Sequence, residues 1–447
     1  MKIGTVVILG LAIPVGLGAQ DTTHVLDQGV RVGITYAPGS RPALVVLPAP
    51  GLDSLQSIIQ RDLDYSDVFD LVVLPAGDPL AGAPRLPGNA WRAGLAPPPL
   101  NYQLYQRLGA DYALELLPGE GSGVLVRLHQ LVAGAVKREQ KVALPSPASP
   151  EFRQSAHRLA DEVVRWVTGT PGIAATRIAF IANKRLYLVD SDGTDLTPLS
   201  GDAETALSPA WAPDGQRIAY TAFNEGQGTV AVLTLATLAR RNLPGTGQDL
   251  NITPSWSPDG LTIVFARSNE EGTDLFSANV ADWCCVQRLT VGRFADNLSP
   301  TYSPDGRQVA FVSTRAGLPQ IYVMAPDGTD QELLAPFDFG ASGSSNAPEW
   351  SPGGASVVFH REVSGTPQLF LVDVASRRVR QLTSSGRNTD ASWAPDGRHL
   401  VFVSDRTGRR QLWIIDVETG RIRQLTTVGT ARLPAWSRRL SGAPLAR

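Results

Sequence analysis

The sequence predicts a mainly β protein, a six-bladed β-propeller behind an α/β N-terminal domain. The first observation is a motif reading Ser-Trp-Ser-Pro-Asp-Gly at 255–260, which recurs in variant form through the second half of the 447 residues. The second observation is the interval of 43 to 48 residues between copies, which is the length of a four-stranded propeller blade. The aromatic residue of the motif stands at Trp211, Trp256, Tyr302, Trp350, Trp393 and Trp436.

Each copy of the motif predicts a hairpin corner between two strands. Ser, Pro and Gly at these positions are the preferences of a type I turn. Apolar runs rich in β-branched and aromatic residues follow the corners, as at 262–265 and 399–402, and second runs follow these, as at 320–323 and 411–415. With a Leu-Thr signature after them, each repeat supplies four strands. We expect the motif tryptophans to pack between blades, because the space between each pair of neighbouring blades needs an equivalent large apolar side chain.

The phase of the repeats predicts how the ring closes. The first repeat begins with a second strand at 177–180, and the last repeat ends with a first strand at 433–436. We therefore expect the C-terminal strand to complete the first blade, so that no sheet edge is left unpaired at the seam.

The N-terminal part predicts an exported protein with a second domain. Residues 1–19 carry one charge, Lys2, and an apolar run that ends in small residues, which is typical of a secretory signal peptide and is too short to span a bilayer. Residues 20–30 form a predicted arm, residues 31–170 an α/β domain, and residues 171–447 the propeller. Leu17 is unusual three residues before the expected cleavage site, so the exact site stays open.

Within the α/β domain, apolar runs alternate with helical patterns. We predict a helix that Asp53 caps, with Gln56 in the capping-box position, and a second long helix over 151–167. Strands are predicted at 43–47, 69–74, 112–116, 123–131 and 135–144, a short helix at 102–108, and a Gly- and Pro-rich loop at 77–100.

Composition and motifs exclude several classes of function. The net charge of −2 without a long basic run argues against a nucleic-acid partner. A Gly-x-Ser-x-Gly elbow does not occur, and the five histidines show no metal-binding spacing. The stretch 190–195 resembles a calcium-binding loop, but its acidic residues do not have the spacing of calcium ligands. A similar stretch recurs at 326–330, so both are explained as ordinary turns of the repeat. We therefore expect no catalytic residue, no metal and no cofactor.

The two cysteines, Cys284 and Cys285, are adjacent in the third repeat. This pattern fits neither a disulfide framework nor a zinc site. We expect two thiols in an exposed turn, because a disulfide between neighbours would strain the peptide that joins them. Their redox state stays open.

The whole mature chain resembles the TolB family, periplasmic propeller proteins of the Tol-Pal envelope system. Besides the six repeats, the resemblance is carried by Ile59–Leu63 with Phe69, Leu108–Tyr112, Ala160–Val163, Thr176–Ala179 and Pro434–Ser437. A single Trp-Ser-Pro-Asp-Gly is shared by many propellers, but its combination with this N-terminal domain is specific. The sequence departs from the family pattern at Gln28, Tyr302, Gly353 and Arg438.

The resemblance implies a non-enzymatic scaffold with two protein-binding sites, which supports outer-membrane integrity and cell division. A peptidoglycan-associated lipoprotein, Pal, would bind at the propeller mouth, the end of the channel where the chain enters the first strand of each blade. The positions carried over are Ser208, Asn251, Thr253, Asn297, Leu298, Ser299, Asn346, Asn388, Thr389, Asp390 and Arg432. A TolA-like protein anchored in the inner membrane would bind the arm through Val25, Leu26, Asp27, Gly29 and Val30.

Alternatives stay open at this point. Short polar residues five positions before the aromatic, at Asn251, Asn297, Ser345 and Asn388, fit a ring of hydrogen-bonding groups around a hole, but such residues also cap turns by bonding to nearby backbone. The protein could also be an exported propeller that binds a carbohydrate or small ligand, or the accessory propeller of a peptidase. Exposed aromatic residues at the mouth would favour a sugar, and polar or aliphatic residues favour a protein. We expect a monomer without a transmembrane segment.

Overall fold

The computed structural model describes residues 41–74, 100–119, 121–224, 226–244, 250–292, 294–337 and 343–440, which lie in one compact unit, Arg41–Arg447. The predicted signal peptide and arm, and nearly all of the predicted 77–100 loop, lie outside the described residues. Within these ranges, no helix is both long and apolar enough to cross a bilayer.

An α/β layer forms the N-terminal part of this unit. Its sheet has the strand order β2-β1-β3-β4-β5, with β1 parallel to β2 and β3 and the last three strands antiparallel. The elements are β1 (Ala43–Val46), α1 (Asp53–Tyr65), β2 (Asp70–Leu71), α2 (Tyr102–Arg107), β3 (Tyr112–Pro118), β4 (Gly123–Gln130), β5 (Ala135–Ala143) and α3 (Glu151–Thr168). The apolar faces of α1 and α3 share one core with the sheet, so the predicted helical periodicities are confirmed.

The predicted start of α1 is wrong by one residue. The residue before the helix is Leu52, and Asp53 is the first helical residue. The side chain of Gln56 accepts a hydrogen bond from the backbone N–H of Ala49 (3.0 Å), so no capping box forms. A carboxylate in the first turn still favours the helix, because the N-terminal end of the helix dipole is positive.

Six four-stranded sheets follow among the described residues, and they form the predicted six-bladed propeller. Blade 1 contains β6 (Arg177–Ala182), β7 (Arg185–Asp190), β8 (Thr197–Pro198) and the final strand, and blade 2 contains β9 (Thr205–Trp211), β10 (Arg217–Asn224), β11 (Gln227–Thr234) and β12 (Ala239–Asn242). Blade 3 contains β13 (Leu250–Trp256), β14 (Thr262–Asn269), β15 (Gly272–Asn279) and β16 (Gln287–Arg288), and blade 4 contains β17 (Asn297–Tyr302), β18 (Val309–Ser313), β19 (Gln320–Met324) and β20 (Glu332–Leu333). Blade 5 contains β21 (Ser345–Trp350), β22 (Ser356–Val363), β23 (Thr366–Asp373) and β24 (Val379–Gln381), and blade 6 contains β25 (Asn388–Trp393), β26 (His399–Ser404), β27 (Gln411–Asp416) and β28 (Ile422–Gln424).

The ring closes as the sequence predicts. The last strand, β29 (Ala431–Trp436), pairs antiparallel with β6 and completes blade 1. The side-chain oxygen of Ser437 accepts a hydrogen bond from the backbone N–H of Arg177 (3.0 Å), directly after the paired stretch. The two ends of the propeller are therefore joined by main-chain hydrogen bonds.

The motif tryptophans pack between blades, which confirms their predicted structural role. Trp256 of blade 3 lies in one buried hydrophobic cluster with Ala219 and Val230 of blade 2. The indole N–H of Trp256 donates to the carbonyl of Ala210 (3.2 Å), and that of Trp211 donates to the carbonyl of Ala435 (3.0 Å). Each of these bonds reaches the inner strand of the preceding blade.

The α/β layer contacts the corner side of blades 1 and 6 through buried charged residues. His157 of α3 lies 2.7 Å from Asp62 and 3.7 Å from Asp190 of blade 1. His399 of blade 6 lies 2.6 Å from Asp396 and 3.2 Å from Asp67, which belongs to the α/β layer. Each histidine thus bridges carboxylates of both parts of the molecule.

Candidate functional site

All six inner strands bend at the same position, three residues before the motif aromatic. The backbone there is left-handed, with φ between 47° and 51°, and none of the six residues is glycine: they are Ser208, Thr253, Ser299, Ala347, Asp390 and Leu433. The pairing register with the second strand shifts at this position in every blade. We call these six residues the bulge ring.

The bulge ring is an unusual backbone arrangement with an energetic cost. Left-handed geometry is unfavourable for residues with a Cβ, and most of all for β-branched ones such as Thr253. Bulges leave one residue outside the ladder and redirect the strand, and strained positions concentrate at functional sites. Proline follows the bulge residue in five blades, at Pro209, Pro254, Pro300, Pro348 and Pro434.

Hydrogen bonds connect members of the bulge ring to neighbouring blades. The backbone N–H of Ser299 donates to the hydroxyl of Thr253 (3.3 Å), and that of Thr253 donates to the hydroxyl of Thr221 (3.0 Å). The N–H of Asp390 donates to Nδ1 of His360 (3.3 Å). Burial lowers the pKa of His360, which favours the neutral ring that can accept this bond.

A cavity of about 780 Å³ lies inside the six inner strands. Its wall includes the six residues of the bulge ring, all six motif aromatics and the corner prolines of five blades. The bulge ring marks one end of the cavity, and the corners mark the other. The described residues of the α/β layer contact the corner side, which is the end opposite the bulge ring.

The structure brings four of the predicted mouth residues together on this wall, namely Ser208, Thr253, Ser299 and Asp390. Leu298, Asn346, Thr389 and Arg432 come one residue earlier on their strands, are half-buried, and are not part of the cavity wall. They lie where each inner strand enters the ring. These eight residues surround the mouth.

Three predicted mouth residues lie elsewhere. The side chains of Asn251, Asn297 and Asn388 are buried and are not part of the cavity wall. The amide of Asn388 donates to Oε1 of Gln368 (2.8 Å), and its oxygen accepts from the guanidinium of Arg406 (3.1 Å). Of the two alternatives left open for this position, the structural one holds at Asn388, because internal partners use its hydrogen-bonding groups.

Four arginines that the sequence did not predict bind the side chains five residues before the motif aromatic. The oxygens of Asn251, Asn297, Ser345 and Asn388 accept hydrogen bonds from Arg267, Arg315, Arg361 and Arg406 respectively. Each guanidinium also lies over aromatic rings of its own blade, as Arg406 does over Phe402 and Trp413. The sequence feature that could have predicted these contacts is an arginine 11 or 13 residues after four of the motif aromatics.

The sequence reasoning also missed Glu349, which lines the cavity next to Trp350. Its Oε1 accepts hydrogen bonds from the hydroxyl of Ser392 (3.0 Å) and the backbone N–H of Trp393 (2.9 Å). Burial raises the pKa of this carboxyl to about 7, and the two hydrogen bonds only partly oppose the shift. The other blades carry Ala, Ser or Thr at this position, so the repeat pattern hides it.

Two groups of described residues have ligand types that suit a metal ion, Asp62 with His157 and Asp192, and Asp67 with His399 and Asp416. Arginines already neutralise their carboxylates: Arg153 donates to Asp192 (2.7 Å), and Arg398 donates to Asp416 (2.6 Å). Both groups therefore serve as ion pairs between the α/β layer and the propeller.

The fold and the channel define the class of protein: a six-bladed β-propeller joined to an α/β domain, with a bulged ring of inner strands around a cavity. The family description "TolB beta propeller domain" matches residues 164–338 and 339–442. The chain belongs to the TolB family.

Individual relatives agree with this assignment. The chain is 33% identical over 285 residues to the Tol-Pal system protein TolB of Bordetella pertussis, an alignment that covers 62% of this chain and 60% of the relative. It is 30% identical over 321 residues to the TolB homolog of Chlorobium chlorochromatii, covering 68% of this chain and 67% of the relative. The crystal structure of TolB from Acinetobacter baumannii has the same fold, with a TM-score of 0.74 at 23% identity over 90% of this chain and 98% of that one.

Proposed function

We propose that this protein is a non-enzymatic, periplasmic protein-binding scaffold of a Tol-Pal-like envelope system. Its propeller mouth binds a Pal-like lipoprotein, and its N-terminal arm, which includes Val25–Val30, binds a TolA-like partner. Through these contacts the protein supports outer-membrane integrity and cell division. The observation that carries the proposal is the bulge ring, which six blades build at the end of the channel opposite the described part of the α/β layer.

The chemistry of the mouth favours a protein as ligand. Hydroxyl and carboxylate groups of Ser299, Thr253 and Asp390 alternate with aliphatic side chains such as Leu298 and Leu433. A mixture of this kind suits hydrogen bonding and apolar contact with a polypeptide.

The aromatic residues of the channel argue against a sugar-binding propeller. Whereas Trp211 and Tyr302 are half-buried, the other four of the six motif aromatics on the channel wall, Trp256, Trp350, Trp393 and Trp436, are only 5% or 6% exposed, because they pack between blades. Their ring faces are therefore not offered as stacking platforms. A lectin of this size would need such faces at the mouth.

Arginine substitutions at the propeller mouth test whether the Pal-like lipoprotein binds there. We expect Leu298→Arg and Thr389→Arg to weaken binding of the recombinant Pal-like lipoprotein at least tenfold in isothermal titration calorimetry, because both residues flank the bulge ring. The matched control is Leu261→Arg, which places the same charge on an exposed residue at the corner side. Unaltered affinity in both mouth variants, with wild-type unfolding curves, would show that the partner binds elsewhere.

Deletion of residues 20–30 tests the second site. We expect this variant to lose the TolA-like partner and to keep the Pal-like partner. If occupancy of the mouth also shifts the arm between docked and released states, each partner changes the affinity for the other by the same factor. Retention of both partners with unchanged affinities contradicts the role of the arm.

A further inference from the structure

The turn between β15 and β16 carries the only two cysteines of the chain. Cys284 is half-buried, Cys285 is exposed, and their sulfur atoms lie 2.6 Å apart on the same side of the turn. The two sulfur atoms are therefore in direct contact, and a disulfide bond of about 2.05 Å requires them to approach further. The fold therefore holds two thiols in a position from which they can react with each other.

The backbone of this turn departs from the equivalent turns of other blades. In blades 1 and 4, Gly193 and Gly328 occupy a left-handed position four residues before the outer strand, whereas blade 3 places Trp283 there (φ 59°). Cys285 is also left-handed (φ 59°), so Cys284 lies between two strained residues. The indole of Trp283 is buried in the same cluster as the motif residue Trp256, which fixes the turn to the blade.

The surroundings of the two thiols give them different roles. Hydrogen bonding to Cys285 and to Asp282 raises the pKa of the Cys284 thiol to about 12, so Cys284 stays protonated at neutral pH. Cys285 is the more accessible of the two. Cys285 is accordingly the thiol that an external oxidant reaches first, and Cys284 is the thiol that reacts second.

We propose that Cys284 and Cys285 form a reversible disulfide, which makes this turn a site of thiol oxidation on the propeller. With a small-molecule disulfide as oxidant, the sulfur of Cys285 attacks one sulfur of the reagent and releases the first thiol. The sulfur of Cys284 loses its proton, attacks the sulfur of Cys285 and releases the second thiol. Two protein thiols are thus oxidised to one disulfide, and one reagent disulfide is reduced to two thiols.

The bond is a labile one. Adjacent Cα atoms lie about 3.8 Å apart across a trans peptide, below the roughly 4.4 to 6.8 Å that disulfides usually span. Strained and exposed disulfides are the ones that reducing agents open most readily. We therefore place this bond among reversible modifications rather than among structural cross-links.

Oxidised glutathione is the probe that tests the proposal on the full chain. We expect the wild type to lose two titratable thiols and the mass of two hydrogens, while it remains a single chain on a non-reducing gel. Millimolar dithiothreitol should restore both thiols under native conditions. The fluorescence of Trp283, obtained as the difference between the wild type and Trp283→Phe, should fall on oxidation, because a disulfide quenches an adjacent indole.

Two variants separate this reaction from ordinary surface thiol chemistry. Cys284→Ser should accumulate a glutathione adduct on Cys285, which the wild type resolves. Asp282→Asn should speed resolution at pH 8 by about threefold or more, because it removes the carboxylate that, after the hydrogen bond to Cys285, contributes to the raised pKa of the Cys284 thiol. An adduct that persists in the wild type as long as in Cys284→Ser, or disulfide-linked dimers, would overturn the proposal.

Discussion

Asn388 and Asp390 stand two residues apart on one strand, yet they have different roles. Asn388 is buried and bonds to Gln368 and Arg406, so it holds a blade together. Asp390 is left-handed and lies on the cavity wall, where its carboxylate accepts a hydrogen bond from the hydroxyl of Thr389 (3.0 Å). The bulge at Asp390 thus separates a buried structural position from a position on the channel wall.

Glu349 supports a prediction at the residue scale. Its folded-state pKa of about 7 lies above the value of 4.5 for an ordinary glutamate, so the fold binds its proton more tightly than the unfolded chain does. Ionisation of Glu349 therefore destabilises the protein as the pH rises from 4.5 through 7. We expect Glu349→Gln to raise the free energy of unfolding by about 1 to 3 kcal/mol at pH 8.

Urea unfolding at pH 8 and near pH 4.5 measures this effect. The difference between Glu349→Gln and the wild type should shrink toward zero at the lower pH, where both side chains are neutral. The control is Glu362→Gln, an exposed position that should show no comparable change. A variant that is no more stable than the wild type at pH 8 contradicts the explanation by burial.

The inner strand is the element on which the architecture depends. Its first half supplies the bulge ring, its second half supplies the motif aromatic, and the corner after it starts the second strand. In blade 1 this element comes from the far end of the chain, as β29. The same strand therefore closes the ring and contributes Leu433 to the channel wall.

The two tryptophans nearest the seam test the closing strand. Trp436 is buried, packs between blades 6 and 1, and donates its indole N–H to the hydroxyl of Thr176 (2.7 Å). We expect Trp436→Ala to lower the free energy of unfolding by about 3 to 5 kcal/mol. Trp211→Ala is the matched control, and it should cost less because Trp211 is only half-buried.

Chemical unfolding of both variants, followed by circular dichroism, measures this difference. An equal decrease in the free energy of unfolding in the two variants would mean that the deeper burial of Trp436 does not determine the size of the decrease. Retention of wild-type stability in Trp436→Ala would contradict the role of β29 as the closing strand.

At the scale of the whole molecule, ion pairs connect the α/β layer to the propeller. Burial alone would lower the pKa of His157, but its contacts with Asp190 and Asp62 outweigh this effect and raise the pKa to about 9. Burial likewise opposes the protonation of His399, and its contacts with Asp396 and Asp67 raise the pKa to about 9. Asp192 also lies near His157 and Asp416 near His399, and arginines pair with these carboxylates and with Asp67, among them Arg61, Arg153, Arg398 and Arg421.

These shifts predict a dependence of stability on pH. Both folded-state pKa values lie above the unfolded value of 6.5, so the stabilisation is fully present below pH 6.5 and is lost as the pH rises through about 9. We expect the free energy of unfolding to fall between pH 7 and pH 9.5. The double variant His157→Gln, His399→Gln should be less stable at pH 6 and should show a flatter profile. A wild-type profile that is flat up to pH 9.5 contradicts this account.

Local chemistry explains which predictions from the sequence are confirmed. The six blades, the seam and the packing of the motif tryptophans follow from a repeat whose turn residues and apolar runs act over a few neighbours. The capping of α1 is wrong, because Gln56 bonds to Ala49 outside the helix. Of the two alternatives left open for Asn251, Asn297 and Asn388, a polar ring around the hole is not formed, because arginines at or just after the second strand of each blade use those side chains.

The sequence by itself determined the number of blades, the order of strands and the closure by the C-terminus, because a periodic pattern of turns and strands records local preferences directly. Only the tertiary structure decided which residues of the inner strand face the channel, since the bulge shifts the pairing register and the proline that follows it in five blades does not reveal that shift. The burial of Glu349 and the charged contacts of His157 and His399 likewise depend on segments far apart in the chain. Those environments exist only once the ring is closed and the α/β layer is packed against it.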